Sequence, residues 1–135
     1  MVNQQFAFAL HILAMLAYSG KILDSRTIAA SINTNPVVVR RLLLALRRAG
    51  LIETSTGKRG GATLTKPPSR ITLLDIYDAV AWRPAIAVNR RRAFRACPVS
   101  CSMKTIVGRI SHETDQAIRR QLGKTTLHRL ISEIR

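Results

Sequence analysis

Residues 25–64, SRTIAASINTNPVVVRRLLLALRRAGLIETSTGKRGGATL, constrain this chain more than any other part of it. Ile28, Ala29 and Ile32 fall at i, i+1 and i+4, which is one face of a short helix. Ser25 is the expected N-cap, its hydroxyl taking an orphan N–H of the first turn. Asn33-Thr34 breaks this helix with turn-forming residues. Asn35-Pro36 then opens a second helix, with Asn at the N-cap and Pro at the first helical position, where its missing N–H costs nothing.

From Pro36 the helical wheel divides in two. Val38, Val39, Leu42, Leu43, Ala45, Leu46 and Ala49 cover one side, and Arg40, Arg41, Arg47 and Arg48 gather on the other around Val37 and Leu44. Gly50 closes the helix as a C′ residue. Two short β-type runs follow, residues 51–55 and 62–65, joined by Thr56-Gly57-Lys58-Arg59-Gly60-Gly61. The glycines permit positive φ and close backbone approach, so Lys58 and Arg59 are expected at a slender tip. Helix, turn, helix and basic hairpin, in that order, are the plan of a winged helix-turn-helix. The second helix is the expected reader of a DNA major groove. An arginine on the hairpin tip suits a narrow minor groove, where the negative potential is strongest.

Charge points to the same partner. Lys and Arg outnumber Asp and Glu by 22 to 7, a formal net charge of +15, and the basic residues run along the whole chain rather than forming a tail. That distribution favours a folded binder of double-stranded DNA. RNA is the alternative, as for a ribosome-associated winged helix; the scarcity of aromatic residues for base stacking speaks against it. A membrane role wants a basic amphipathic helix with spare apolar surface, and every apolar face here is better used as core. Met1 is not followed by a basic n-region, and the apolar run of residues 6–18 is too short to span a bilayer, so a cytoplasmic location is expected.

The rest of the chain reads as helices. Residues 3–19 form a helix apolar nearly all round, with His11 as a packing residue rather than a ligand. Thr72-x-x-Asp75 is a capping box, starting a helix over residues 73–81. Residues 83–97 are a basic linker in which Arg90, Arg91 and Arg92 either reach phosphate or stay solvated. Cys97-Pro98 opens a long amphipathic helix to about Leu122, and Gly123 ends it. Thr125 is the expected cap of a last short helix with Leu127, Leu130, Ile131 and Ile134.

Cys97 and Cys101 are the only candidate sensor chemistry. A thiol at a helix N-terminus faces the positive end of the dipole, which favours its reactive anionic form. Cys101 follows one turn later, so the pair has three readings: a reversible thiol switch, ligation of a metal or cluster, or two inert small hydrophobes. His112 and His128 have no ligand spacing, and no structural metal site is expected. C-x-x-x-C without a βαβ pattern is not a dithiol-oxidoreductase motif, and no triad, phosphate loop or carboxylate pair appears, so the chain is not expected to be an enzyme.

FAFALHILAMLA, S-x-x-I-A, NPVVVRRLLLALRRAGLI, GKRGGATL, ITLLDIYDAV and CPVSC together resemble the Rrf2 family of bacterial transcription regulators, over essentially the whole chain. The resemblance implies a homodimeric winged-helix regulator, most simply a repressor, whose long C-terminal helix pairs with its mate. Cluster-binding members carry three cysteines in this region, whereas this chain has two at closer spacing. No cofactor is therefore expected, and an iron–sulfur cluster completed by non-cysteine ligands is the alternative.

The expected fold is thus mainly α with a small β-hairpin: a winged helix-turn-helix domain (residues 1–82), the basic linker (83–97), and dimerisation and sensor helices (98–135). The expected DNA contacts lie on three elements. Ser25 and Arg26 start the first helix; Asn35, Val37, Arg40, Arg41, Arg47 and Arg48 belong to the second; Lys58 and Arg59 tip the wing.

Overall fold

A computed structural model describes residues 4–81 and 83–135. Asn3, the expected start of the first helix, and Trp82, the expected end of the first domain, lie outside the described residues. The elements in chain order are α1 (Gln5–Ser19), α2 (Ser25–Ile32), α3 (Pro36–Arg48), β1 (Ile52–Ser55), β2 (Gly61–Leu64), α4 (Leu73–Val80), α5 (Pro98–Leu122) and α6 (Leu127–Ile131), with a 3-10 turn over Pro68–Arg70. They fall into two compact units: Met1–Ala81 with Leu122–Arg135, and Trp82–Gln121. Of residues 98–135, expected as dimerisation and sensor helices, Leu122–Arg135 group with the N-terminal unit.

Helix α1 is the centre of the first unit. Ala9, Ile12, Leu13 and Leu16 are buried, and α2, α3, β2, α4 and α6 all pack against it. A helix contacted on so many sides has to be apolar nearly all round, which is how its sequence reads. The core is completed by Ile28, Val39, Leu42, Leu46, Leu51, Ile52, Ala62, Ile71, Ile76, Val80 and Leu127. It is almost wholly aliphatic, with the Phe6 and Tyr77 rings meeting edge-on, 6.0 Å apart, at its margin. His11 is a packing residue here, its Nε2 2.9 Å from the Ser31 Oγ, which ties α1 to α2.

The C-terminal segment returns to this core by backbone pairing. Leu73 N–H donates to the Thr125 carbonyl (3.0 Å) and Leu127 N–H to the Ile71 carbonyl (2.8 Å), which seats Leu127 fully inside. The Thr72–Asp75 capping box is complete: Asp75 N–H donates to the Thr72 hydroxyl at 3.1 Å, and Thr72 N–H to the Asp75 carboxylate at 2.9 Å.

Two caps differ from the sequence expectation. Asp24, not Ser25, caps α2: its backbone is extended and its carboxylate takes the Thr27 N–H at 2.7 Å, so Ser25 is the first helical residue. Thr126, not Thr125, caps α6, since its hydroxyl takes the Arg129 N–H at 3.2 Å while Thr125 is engaged with Leu73. In both cases adjacent residues are good cap formers, and the tertiary path of the chain chooses between them.

Asp24 carries a pH prediction. The Thr27 backbone N–H, helped by the Thr27 hydroxyl, holds its carboxyl below the ordinary carboxylate range. A depressed folded-state pKa means that the stabilisation is present above the unfolded-state value, near pH 4, and is lost as pH falls through the folded value. The Tm gap between wild type and Asp24→Ala is expected to be constant from neutral pH down to about pH 5 and to shrink below about pH 4. Thermal melts by circular dichroism across that range check it; a gap independent of pH would show that the carboxylate is not the cap.

Candidate nucleic-acid interface

The helix-turn-helix is built by local chemistry. Asn33 takes the left-handed conformation (φ 65°) that ends α2, and Thr34 N–H reaches back to the Ala29 carbonyl at 3.0 Å. Asn35 then caps α3, its side-chain oxygen accepting the Val37 N–H at 2.8 Å. That side chain is therefore occupied by capping. Val39, Leu42, Leu43 and Leu46 bury one face of α3. The opposite face presents Arg40, Arg41, Arg47 and Arg48, all exposed, with Val37 at 49% and Leu44 at 39% exposure between them. Ala49, assigned by periodicity to the apolar side, is exposed as the C-cap of the helix.

Arg47 differs from its neighbours. Its guanidinium donates to the Thr54 hydroxyl at 3.3 Å, linking the end of α3 to β1. Sequence reasoning missed Thr54, and only its position on the exposed side of a strand beginning four residues after α3 hinted at it. Arg26 is exposed on α2, whereas Ser25 is half-buried. Among the described residues, no ion pair or side-chain hydrogen bond engages Arg40, Arg41 or Arg48 of α3.

The wing is a two-stranded antiparallel hairpin, with Ile52 opposite Leu64 and Ser55 opposite Gly61. Gly60 N–H donates to the Gly57 carbonyl at 3.0 Å, closing a turn whose two central residues are Lys58 and Arg59, both exposed. Gly57 enters that turn at φ 96°. Gly61 meets two demands at once: its φ is 153°, and a Cβ there would lie 2.6 Å from the Leu23 carbonyl carbon. The reason is a third edge: Leu23 pairs with Ala62, donating at 3.2 Å and accepting at 2.8 Å. The segment before α2 therefore anchors the wing directly to the helix-turn-helix. A single bridging residue has no periodicity, so nothing in the sequence marked Leu23.

The cysteines belong to the second unit. Cys97 caps α5, its Sγ accepting the Ser100 N–H at 3.5 Å, and Cys101 N–H donates to the Cys97 carbonyl at 3.1 Å. The Cys101 thiol points to the Phe94 and Arg95 carbonyls, at 3.7 Å from each. Both are free thiols; Cys97 is half-buried and Cys101 exposed. Among the described residues no third His, Cys, Asp or Glu joins them in a group able to hold a metal ion. Two cysteines on one helical turn do not by themselves match the four-ligand sets that iron–sulfur clusters take.

The model of the Rrf2 family, described as iron-dependent transcriptional regulators, matches residues 2–133. The chain belongs to the Rrf2 family. Rrf2 relatives agree with the geometry. YwnA of Bacillus subtilis (strain 168), named as an HTH-type transcriptional regulator, is 31% identical over 134 residues, 99% of each chain. A crystal structure of a protein described as DNA-binding superposes with a TM-score of 0.75 at 31% identity, over 94% of this chain and 98% of that one. CymR of B. subtilis, called its global cysteine regulator, shares the fold at a TM-score of 0.70 and 23% identity, over 100% of this chain and 98% of CymR. This Rrf2 chain is a DNA-binding transcription regulator with a winged helix-turn-helix, not an enzyme. No helix among the described residues is long and apolar enough to cross a membrane.

Proposed function

We propose that the chain is a homodimeric, cytoplasmic repressor. It reads a near-palindromic operator with α3 and the wing and blocks transcription by occupying the site. One observation carries this: α3 buries one face and offers arginines around two exposed aliphatic side chains on the other, beside a basic hairpin tip. Val37, Arg40 and Arg41, near the N-terminus of α3, are the candidates for base edges and adjacent phosphates, and Arg48 for phosphate. Arg47, tied to Thr54, contributes charge and orientation. Lys58 and Arg59 enter the minor groove.

Dimerisation rests on α5. Its 25 residues include none that is buried. Val99, Met103, Ile106 and Ile110 are 62%, 40%, 38% and 43% exposed, at steps of four, three and four, the spacing of a two-helix seam. A near-palindromic operator asks for two recognition helices about 34–36 Å apart, one turn of B-DNA, and so for two copies of this chain.

The signal we assign to the cysteines is thiol oxidation. Cys97 and Cys101 lie at the helix start in a stretch without a single acidic residue, and both are free thiols, Cys101 exposed. The iron–sulfur alternative is answered by the visible spectrum and by iron and sulfide content after anaerobic purification.

The deciding experiment selects binders from a pool of random duplex DNA, with single-stranded RNA as competitor. Enrichment of a palindromic duplex that resists RNA is expected. The Arg40→Ala/Arg41→Ala variant is expected to bind the enriched duplex at least tenfold more weakly. Preference for RNA, or full affinity in the variant, would overturn the assignment.

A further inference from the structure

The segment before α5 has no part in the winged helix. Residues 79–112 hold seven Lys or Arg and not one Asp or Glu. Five of the seven fall within residues 83–97, all of them arginine: Arg83, Arg90, Arg91, Arg92 and Arg95. Every one is exposed. The backbone there is neither helix nor strand but is held in shape. The Asn89 side chain takes the Arg91 N–H at 3.0 Å, and the Ser100 hydroxyl takes the Phe94 N–H at 2.8 Å. No ion pair or side-chain hydrogen bond engages the Arg90, Arg91, Arg92 or Arg95 guanidinium among the described residues.

We propose that this segment is a second DNA-binding element, an arginine arm that meets phosphates of the duplex the winged helix reads. The inference rests on the DNA-binding reading and extends its footprint. Concentrated charge of one sign repels itself in the free protein and is relieved by a polyanion. Arginine in place of lysine fits phosphate, because the planar guanidinium meets two oxygens at once. A lipid surface is the weaker partner. Phe94 is 68% exposed, but the segment forms no helix and so has no amphipathic face to lie in a membrane. Because the arm meets phosphate and not base edges, its contribution is the same for every sequence.

The test measures binding of the full-length chain to two labelled duplexes, the enriched one and one of unrelated sequence, across a salt series. Arg90→Ala/Arg91→Ala/Arg92→Ala is expected to lower the slope of log K against log salt by about 2–3 per protomer, equally on both duplexes. The matching triple lysine variant is expected to keep the wild-type slope, since charge and not shape sets it. An unchanged slope in the alanine variant, with Arg40→Ala/Arg41→Ala still weakening binding, would overturn the arm and leave the winged-helix reading intact. Failure of wild type to bind either duplex at any salt would overturn both. An unchanged DNA slope with lost binding to vesicles of equal parts phosphatidylcholine and phosphatidylserine would assign the arm to lipid instead.

Discussion

Met103→Glu/Ile110→Glu is expected to sediment as a monomer and the wild type as the proposed dimer, and the variant to lose operator affinity by about 10²–10⁴-fold. Both side chains lie on the apolar stripe of a helix with no buried residue. Two carboxylates from each copy in that seam set like charges into a desolvated contact. Operator binding falls further than the interface itself would suggest, because a dimer makes its second half-site contact at high effective concentration, which a monomer lacks. Lys104→Glu is the matched control. It changes the net charge by the same amount, two units, from a neighbouring exposed position off the stripe. It is expected to stay dimeric and to lose much less affinity. Sedimentation equilibrium and anisotropy titrations read both quantities. A double variant that remains a dimer would place the interface elsewhere.

The second large effect is at Gly61. Gly61→Val is expected to cost about 1–3 kcal/mol from backbone strain alone, since φ is 153°. The added side chain must also displace Leu23, whose backbone lies where the Cβ would go. Leu23 and Ala62 then lose their pairing, and the wing is released from the base of the helix-turn-helix. The variant is expected to melt lower and to bind operator poorly even at temperatures where its helical signal is intact. Gly57→Ala separates strain from crowding. Its φ is also positive, at 96°, but open space surrounds it, so it is expected to lose stability without losing operator affinity. Equal losses in the two variants would mean that the Leu23 contact does not hold the wing.

Most of the helix-turn-helix was legible because its signals are local. Asn35-Pro36 is a helix start in any context, and the Thr72–Asp75 box closes on itself within four residues. The division of α3 into buried aliphatics and exposed arginines follows from periodicity alone, and only its ends escaped that rule, as Ala49 shows. The candidate interface was legible to the same extent. Arg40, Arg41, Lys58 and Arg59 are exposed where the wheel and the turn put them, whereas the employment of Arg47 by Thr54 depends on how β1 returns past the end of α3. Side-chain partners of that kind are a matter of distance in space, which spacing in sequence does not encode.

The amino-acid sequence by itself determined the order of elements, the basic face of α3, the basic tip of the wing and the family, since each depends on residue type within a few turns of chain. Tertiary structure alone decided which of two neighbouring residues caps α2 and α6, why Gly61 has to be glycine, and where the C-terminal segment goes. The Leu23–Ala62 and Thr72–Thr126 pairings are single bridges between segments distant in sequence, with no repeat to announce them. They form because each satisfies backbone groups beside a buried core residue, and burial is a property of the whole packed chain rather than of any stretch within it.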